Sequence, residues 1–138
     1  MAVRPKWLRP VAIVAALWNL LGCLAFAQDL RVSPSDLAHM SLEQQQAYAA
    51  RPMWSVAATG VAVIGGLLGS IALAQPHRIA WPLLAASLIG VIVQDVGLVM
   101  ASGGVLGTMA IVLQGMVLVI AIVLAMLAHR YAAGLPKD

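Results

Sequence analysis

One acid lies inside an apolar run of this 138-residue chain, Asp95. A carboxylate in hydrocarbon is costly, so Asp95 is expected to be protonated, paired or wetted by a cavity, and such a carboxyl can carry a proton or hold a polar solute. Gln94 stands beside it, and the other apolar runs contribute Gln114, Thr59 and Asn19, the last next to Trp18. Counted inward from the outer ends of their helices at 1.5 Å per residue, Asp95 lies about 9 Å deep, Thr59 about 8 Å, and Gln114 and Asn19 about 14 Å each. Amides, a carboxyl and an aromatic face in the outer half of the bundle are what a sugar-like solute would need. The plainer use of the same groups is hydrogen bonding between helices. Neighbouring residues on a helix point about 100° apart, so shared depth does not establish a shared site.

Other chemistry is poorly supplied. Acid–base or nucleophilic catalysis needs at least two positioned groups within reach of each other. His39 falls in a connection, and His77 and His129 at the ends of runs, so no histidine pair faces itself as haem ligation would require. Cys23 is the sole cysteine, which excludes an intramolecular disulfide, and no Cys/His spacing suits a metal. It reads as a small packing residue. No catalytic residue, metal or cofactor is expected, and the chain is read as a non-enzyme.

The elements that must position these groups follow from composition. Hydrophobic residues make up 62% of the chain and charged ones 9%, against about 25% charged in soluble domains. With a mean hydropathy of +0.96, soluble, disordered and fibrous classes are excluded. The net charge of +3 does not indicate nucleic acid as a partner, because the basic residues sit between apolar runs, where they report orientation and contact with anionic lipid.

Four spans are predicted, over about residues 11–28, 53–74, 79–101 and 105–128, in one membrane domain covering 1–138. The last two runs form an apolar block too long for one crossing, so Ser102-Gly103-Gly104 must turn. Trp81-Pro82 opens the third helix, with proline where its missing N–H costs nothing. Trp54, Trp81 and Tyr131 stand at run ends, as interfacial aromatics do. The expected architecture is an all-α, integral membrane four-helix bundle.

Arg4, Lys6, Arg9, Arg78, Arg130 and Lys137 share one side, and only Arg31 and Arg51 the other. The positive-inside rule then places both termini in the cytoplasm and the 29–52 connection outside. Within that connection, Ser33-Pro34-Ser35-Asp36 and Ser41-Leu42-Glu43-Gln44 read as capped starts of two short amphipathic helices, the second stopping at Pro52. Leu37, Met40, Leu42 and Tyr48 would lie on the bilayer or over the bundle mouth, as an interfacial cap or a substrate gate. The first run also has features of a cleaved signal, with a basic start and Ala25-Phe26-Ala27, and Leu20-Leu21-Gly22-Cys23 approximates a lipoprotein processing site. Asn19 within its apolar core argues for a retained helix.

Small residues mark packing faces: Gly65, Gly66 and Gly69 with Ala62 and Ser70 on the second span, Ser87, Gly90, Gln94 and Gly97 on the third, Gly107 and Gly115 on the fourth. Some of these faces would suit another copy of the chain or a different membrane protein.

Several segments together, Pro5 to Arg9, Leu17-Trp18-Asn19-Leu20-Leu21-Gly22, Ser33 to Ala38, Glu43 to Trp54, Gly65 to Ser70 and Trp81 to Gln94, resemble a family of small bacterial four-helix membrane proteins labelled sugar transporters. The resemblance covers residues 5 to 94. It implies an uncleaved first helix and a bacterial cytoplasmic-membrane location with both termini inside, and it supplies no substrate or catalytic residue. Beyond Asp95 the chain departs from the family, which is richer in aromatics there and ends in a basic tail containing Gly-Trp, whereas this chain ends Gly134-Leu135-Pro136-Lys137-Asp138. The expected function is a non-enzymatic bundle, set in the lipid bilayer, that associates with or assists other membrane components. The alternative is a homo-oligomeric transporter of a small polar, sugar-like solute using an outer-half site around Asp95.

Overall fold

In lipid every backbone N–H and C=O must be satisfied within its own segment, so apolar runs of this length fold as helices. The computed structural model describes residues 3–136, so Lys137 lies outside the described residues. Among the described residues the order is α1 (Leu8–Leu30), α2 (Pro34–Ala38), α3 (Leu42–Ala50), α4 (Met53–Ala74), α5 (Ala80–Ala101) and α6 (Thr108–Tyr131), with no strand. α1, α4, α5 and α6 are long and apolar enough to cross a membrane, giving a multi-pass four-helix bundle. Both described ends of the chain lie at one end of it, the terminal end, and α2 and α3 at the other, the cap end.

The boundaries follow local chemistry. α1 begins three residues earlier than expected, because Pro10 falls in its first turn, where a missing N–H costs nothing. α5 closes in a Schellman motif: Gly104 N–H donates to Val99 O at 2.9 Å and Gly103 N–H to Met100 O at 3.2 Å, with φ of +84° and +67°. The chain then runs extended into Gly107, so α6 starts at Thr108 and not near 105.

Both expected caps are present. Ser33 and Asp36 form a reciprocal capping box on α2, and Ser41 and Gln44 one on α3. The Ser33 backbone N–H, followed by its hydroxyl, holds the Asp36 carboxyl below its usual range. A clasp ties this cap down. Arg51 Nη1 lies 2.7 Å from Asp29 Oδ2, and the Tyr48 hydroxyl donates to Asp29 Oδ1, joining the end of α1 to the end of α3. That bond, with burial adding to it, raises Tyr48 above its usual value. Leu42 is 70% exposed and does not cover the bundle.

The spans pack in the row α1–α4–α5–α6. α4 and α5 are closest, and their backbones meet at glycine. A Cβ on Gly90 would lie 2.8 Å from both Ala58 O and Ala62 N of α4, and one on Gly65 would lie 3.1 Å from Leu83 O of α5. α4 receives α1 on its other side, where a Cβ on Gly66 would lie 2.6 Å from Asn19 Cγ and one on Gly60 would lie 3.3 Å from the Phe26 ring. Such contacts bind helices by dispersion, since lipid offers no hydrophobic drive between them. Gly107 and Gly115, expected to pack, meet nothing within 4 Å. α6 carries the same small-residue signal as α4, but within the chain no helix lies against it there.

At the terminal end the row closes. Leu8 and Ala12 of α1, Leu73 of α4, Leu84 of α5 and Ala128 and Tyr131 of α6 form one buried cluster, with Trp7 packed edge-on against Tyr131 at 6.1 Å. Replacing Gly90 by Ala is expected to force α4 and α5 apart and cost about 1–3 kcal/mol in thermal unfolding in micelles, while Gly115→Ala is silent. Equal effects at the two positions would contradict this packing order.

Candidate functional site

Because α1 and α6 are the ends of the row and meet through side chains at the terminal end, a cleft of about 360 Å³ remains between them. Trp18, Asn19, Leu21 and Ala25 form the α1 wall, and Gln114, Val117 and Ile120 the α6 wall. Its floor is Ala62 and Val63 of α4 with Ser87, Val91 and Gln94 of α5. On α5 these three positions, with Leu84, repeat at helical spacing and so share one face. On α6 the lining runs from Leu113 to Leu124, a length of about 16 Å along the axis. The amides of Gln94 and Gln114 lie toward the cap end, and Leu84 and Leu124 close the other end.

A chain of hydrogen bonds crosses three helices at the cap-end part of the cleft. The Thr59 hydroxyl of α4 lies 2.7 Å from Gln94 Oε1 and 3.1 Å from its own Ser55 carbonyl, so its single proton serves one or the other. Gln94 Nε2 donates to Gln114 Oε1 at 3.4 Å. The Gln114 amide N–H groups end the chain and donate to no acceptor among the described residues. Directed amides of this kind polarise one another, and each is worth more in a low dielectric than in water.

Deeper in, the polar groups turn to backbone carbonyls. Asn19 Nδ2 donates to Ala15 O at 2.9 Å, and its oxygen rests in the notch left by Gly66. Ser87 Oγ donates to Ala62 O at 2.6 Å. Ser87, read from the sequence as part of a packing stripe, thus also borders the cleft. Its spacing from Gln94 carried that signal, two turns along one helix face.

Asp95 does not join them. About 100° round α5 from Gln94, it sits on a neighbouring flank among Ile92, Val96, Val99, Met100 and Leu118, outside the cleft lining, and its Oδ1 is sealed without a hydrogen-bond partner. The expected outer-half site therefore divides: Thr59, Gln94 and Gln114 are linked, Asn19 and Trp18 border the same cleft, and Asp95 lies elsewhere. Cys23 packs on α4, its Sγ 3.4 Å from Val63 O. His39 contacts the Ser35 carbonyl, and His129 packs edge-on against Trp81 at the terminal end, away from the cleft lining. Among the described residues no group of three His, Cys, Asp or Glu could hold a metal.

Among the described residues no ionisable side chain borders the cleft, so its chemistry is recognition by neutral hydrogen bonds along an apolar slot. Asp95→Leu is expected to leave the fold intact and raise its stability, because it removes an unpartnered carboxyl oxygen from apolar surroundings. Gln94→Leu breaks both links, leaving Thr59 with its Ser55 carbonyl alone and Gln114 without its partner on α5, at a cost of about 1–2 kcal/mol. Equilibrium unfolding in mixed micelles reads both, and a loss of stability in Asp95→Leu would contradict the placement of Asp95.

Compared with known proteins, the chain matches no family model, no curated protein and no solved structure.

Proposed function

We propose that this chain is a non-enzymatic bundle of the bacterial cytoplasmic membrane that associates with or assists another membrane component, received in the cleft between α1 and α6. The observation that carries the reading is the Gln114 amide, which ends a three-helix hydrogen-bond chain at an opening between two helices. Facing hydrocarbon it would stay unsatisfied, at a cost a partner offering a carbonyl or hydroxyl removes. The burial of the spans agrees with this. In their most apolar stretches, 39% of α4 is buried within the chain but only 11% of α1 and 17% of α6.

The orientation is part of the same proposal. Arg4, Lys6, Arg9, Arg78 and Arg130 gather at the terminal end, while at the cap end Arg51 is paired with Asp29, leaving Arg31. Positive charge is retained in the cytoplasm, which puts both termini inside.

A second reading, a homo-oligomeric transporter of a small polar solute, draws on the convergence of Trp18, Asn19, Gln94 and Gln114 on one cleft. Against it, the carboxyl suited to proton coupling, Asp95, lies outside the cleft, and the terminal-end cluster closes the path.

A photocrosslinking residue at Val117, inside the cleft, is expected to capture a distinct membrane protein in intact cell membranes. The same probe at Ile89, 62% exposed and not part of the cleft lining, should not. Capture of a second copy of the chain favours the transporter. Capture of lipid alone at both positions contradicts the association reading.

A further inference from the structure

The terminal end holds a second concavity, unrelated to the cleft. Arg4, Lys6 and Arg9 line a pocket of about 450 Å³ whose other wall is Ala74, Gln75 and Pro76, at the end of α4. Arg4 is fixed in it. Its Nη2 donates to Leu73 O at 2.6 Å, capping the last turn of α4, while Nη1 is buried without a hydrogen-bond partner among the described residues. A guanidinium has five donors, cannot shed its charge, and matches the oxygens of a phosphate in geometry.

Among the described residues no acid lies near these cations. The acids among the described residues are Asp29, Asp36, Glu43 and Asp95; three lie in or beside the cap connection and Asp95 in the cap-end half of α5. The start of α1 adds the positive end of its dipole to the same pocket. The opposing dipole end, at α4, is the one Arg4 already occupies. Trp7 and Tyr131, ring to ring at 6.1 Å, are aromatics of the type that settles at the headgroup level, which sets the pocket at the depth of lipid phosphates.

We propose that this pocket binds a phosphate ester, with the Arg4 guanidinium as the fixed cation of its wall and Lys6 and Arg9 closing over the anion from the rim. Two sources carry that chemistry, the headgroup of an anionic phospholipid and a soluble phosphate monoester, and they are separable by experiment.

The full-length protein, in nanodiscs of phosphatidylcholine containing a small fraction of phosphatidylglycerol, is assayed by native mass spectrometry for retained phosphatidylglycerol. Salt is held near 0.3 M, so that cations outside the pocket are screened beyond a few ångströms. Arg4→Gln, and independently the double variant Lys6→Gln with Arg9→Gln, are expected to lower retention by about tenfold or more. Arg78→Gln and Arg130→Gln, at the same end but outside the pocket, should change it by less than about threefold. Because Arg4 also caps α4, the double variant carries the test if Arg4→Gln does not fold. Glycerol 3-phosphate that competes at millimolar concentration identifies a soluble source, and failure to compete identifies the lipid headgroup. Equal losses from pocket and non-pocket variants, or no preference for phosphatidylglycerol over phosphatidylcholine, would overturn the proposal.

Discussion

The close approach of α4 and α5 at Gly90 governs the rest of the molecule. With backbone atoms of Ala58 and Ala62 in the space a side chain would fill, these helices lie nearer than side-chain packing allows, and α4 becomes the central member of the bundle. Its second small face, at Gly60 and Gly66, then accepts α1. α6 is left to pack mainly on α5. Four helices arranged in a row have two ends, and here those ends meet only where Leu8, Ala128 and Tyr131 close the terminal side. The cleft follows from that arrangement and needs no further device.

The polar groups of the spans take their roles from the same geometry. Thr59, Gln94 and Gln114 form a link from α4 through α5 to α6, and this is the main specific tie holding α6 at its cap-end half, since its glycines touch nothing there. The link also leaves donors at the cleft mouth, so one set of side chains both positions α6 and offers the recognition group. Asn19 and Ser87 bond to backbone carbonyls and shape the slot, the hydroxyl proton of Ser87 being used in full and one of the two Asn19 amide protons.

Much of the fold was legible because it rests on short-range rules. Span length, the first-turn Pro82, the Ser33 and Ser41 capping boxes and the turn at Gly103-Gly104 each depend on residues within a few positions of one another. What depends on helix rotation was not legible. Gln94 and Asp95 are adjacent and share a depth, yet about 100° of helix separates a cleft from an isolated apolar niche. The glycines of α6 show the same limit. A small-residue stripe permits close approach but does not supply the helix that approaches, so Gly66 packs and Gly115 does not. The basic residues before α1 were read for orientation alone. Their convergence on one pocket depends on the Arg4 bond to Leu73, a contact 69 positions apart in sequence.

The splay of α1 and α6 is tested most directly by pulsed electron resonance on pairs of spin labels, in a Cys23→Ala background and in lipid. One pair at Val11 and Met126 spans the terminal end, and another at Leu24 and Leu113 spans the cleft mouth. A row closed at one end predicts a clearly longer and broader distance distribution for the mouth pair than for the terminal pair. Equal, narrow distributions for the two pairs would show a closed bundle and contradict the cleft.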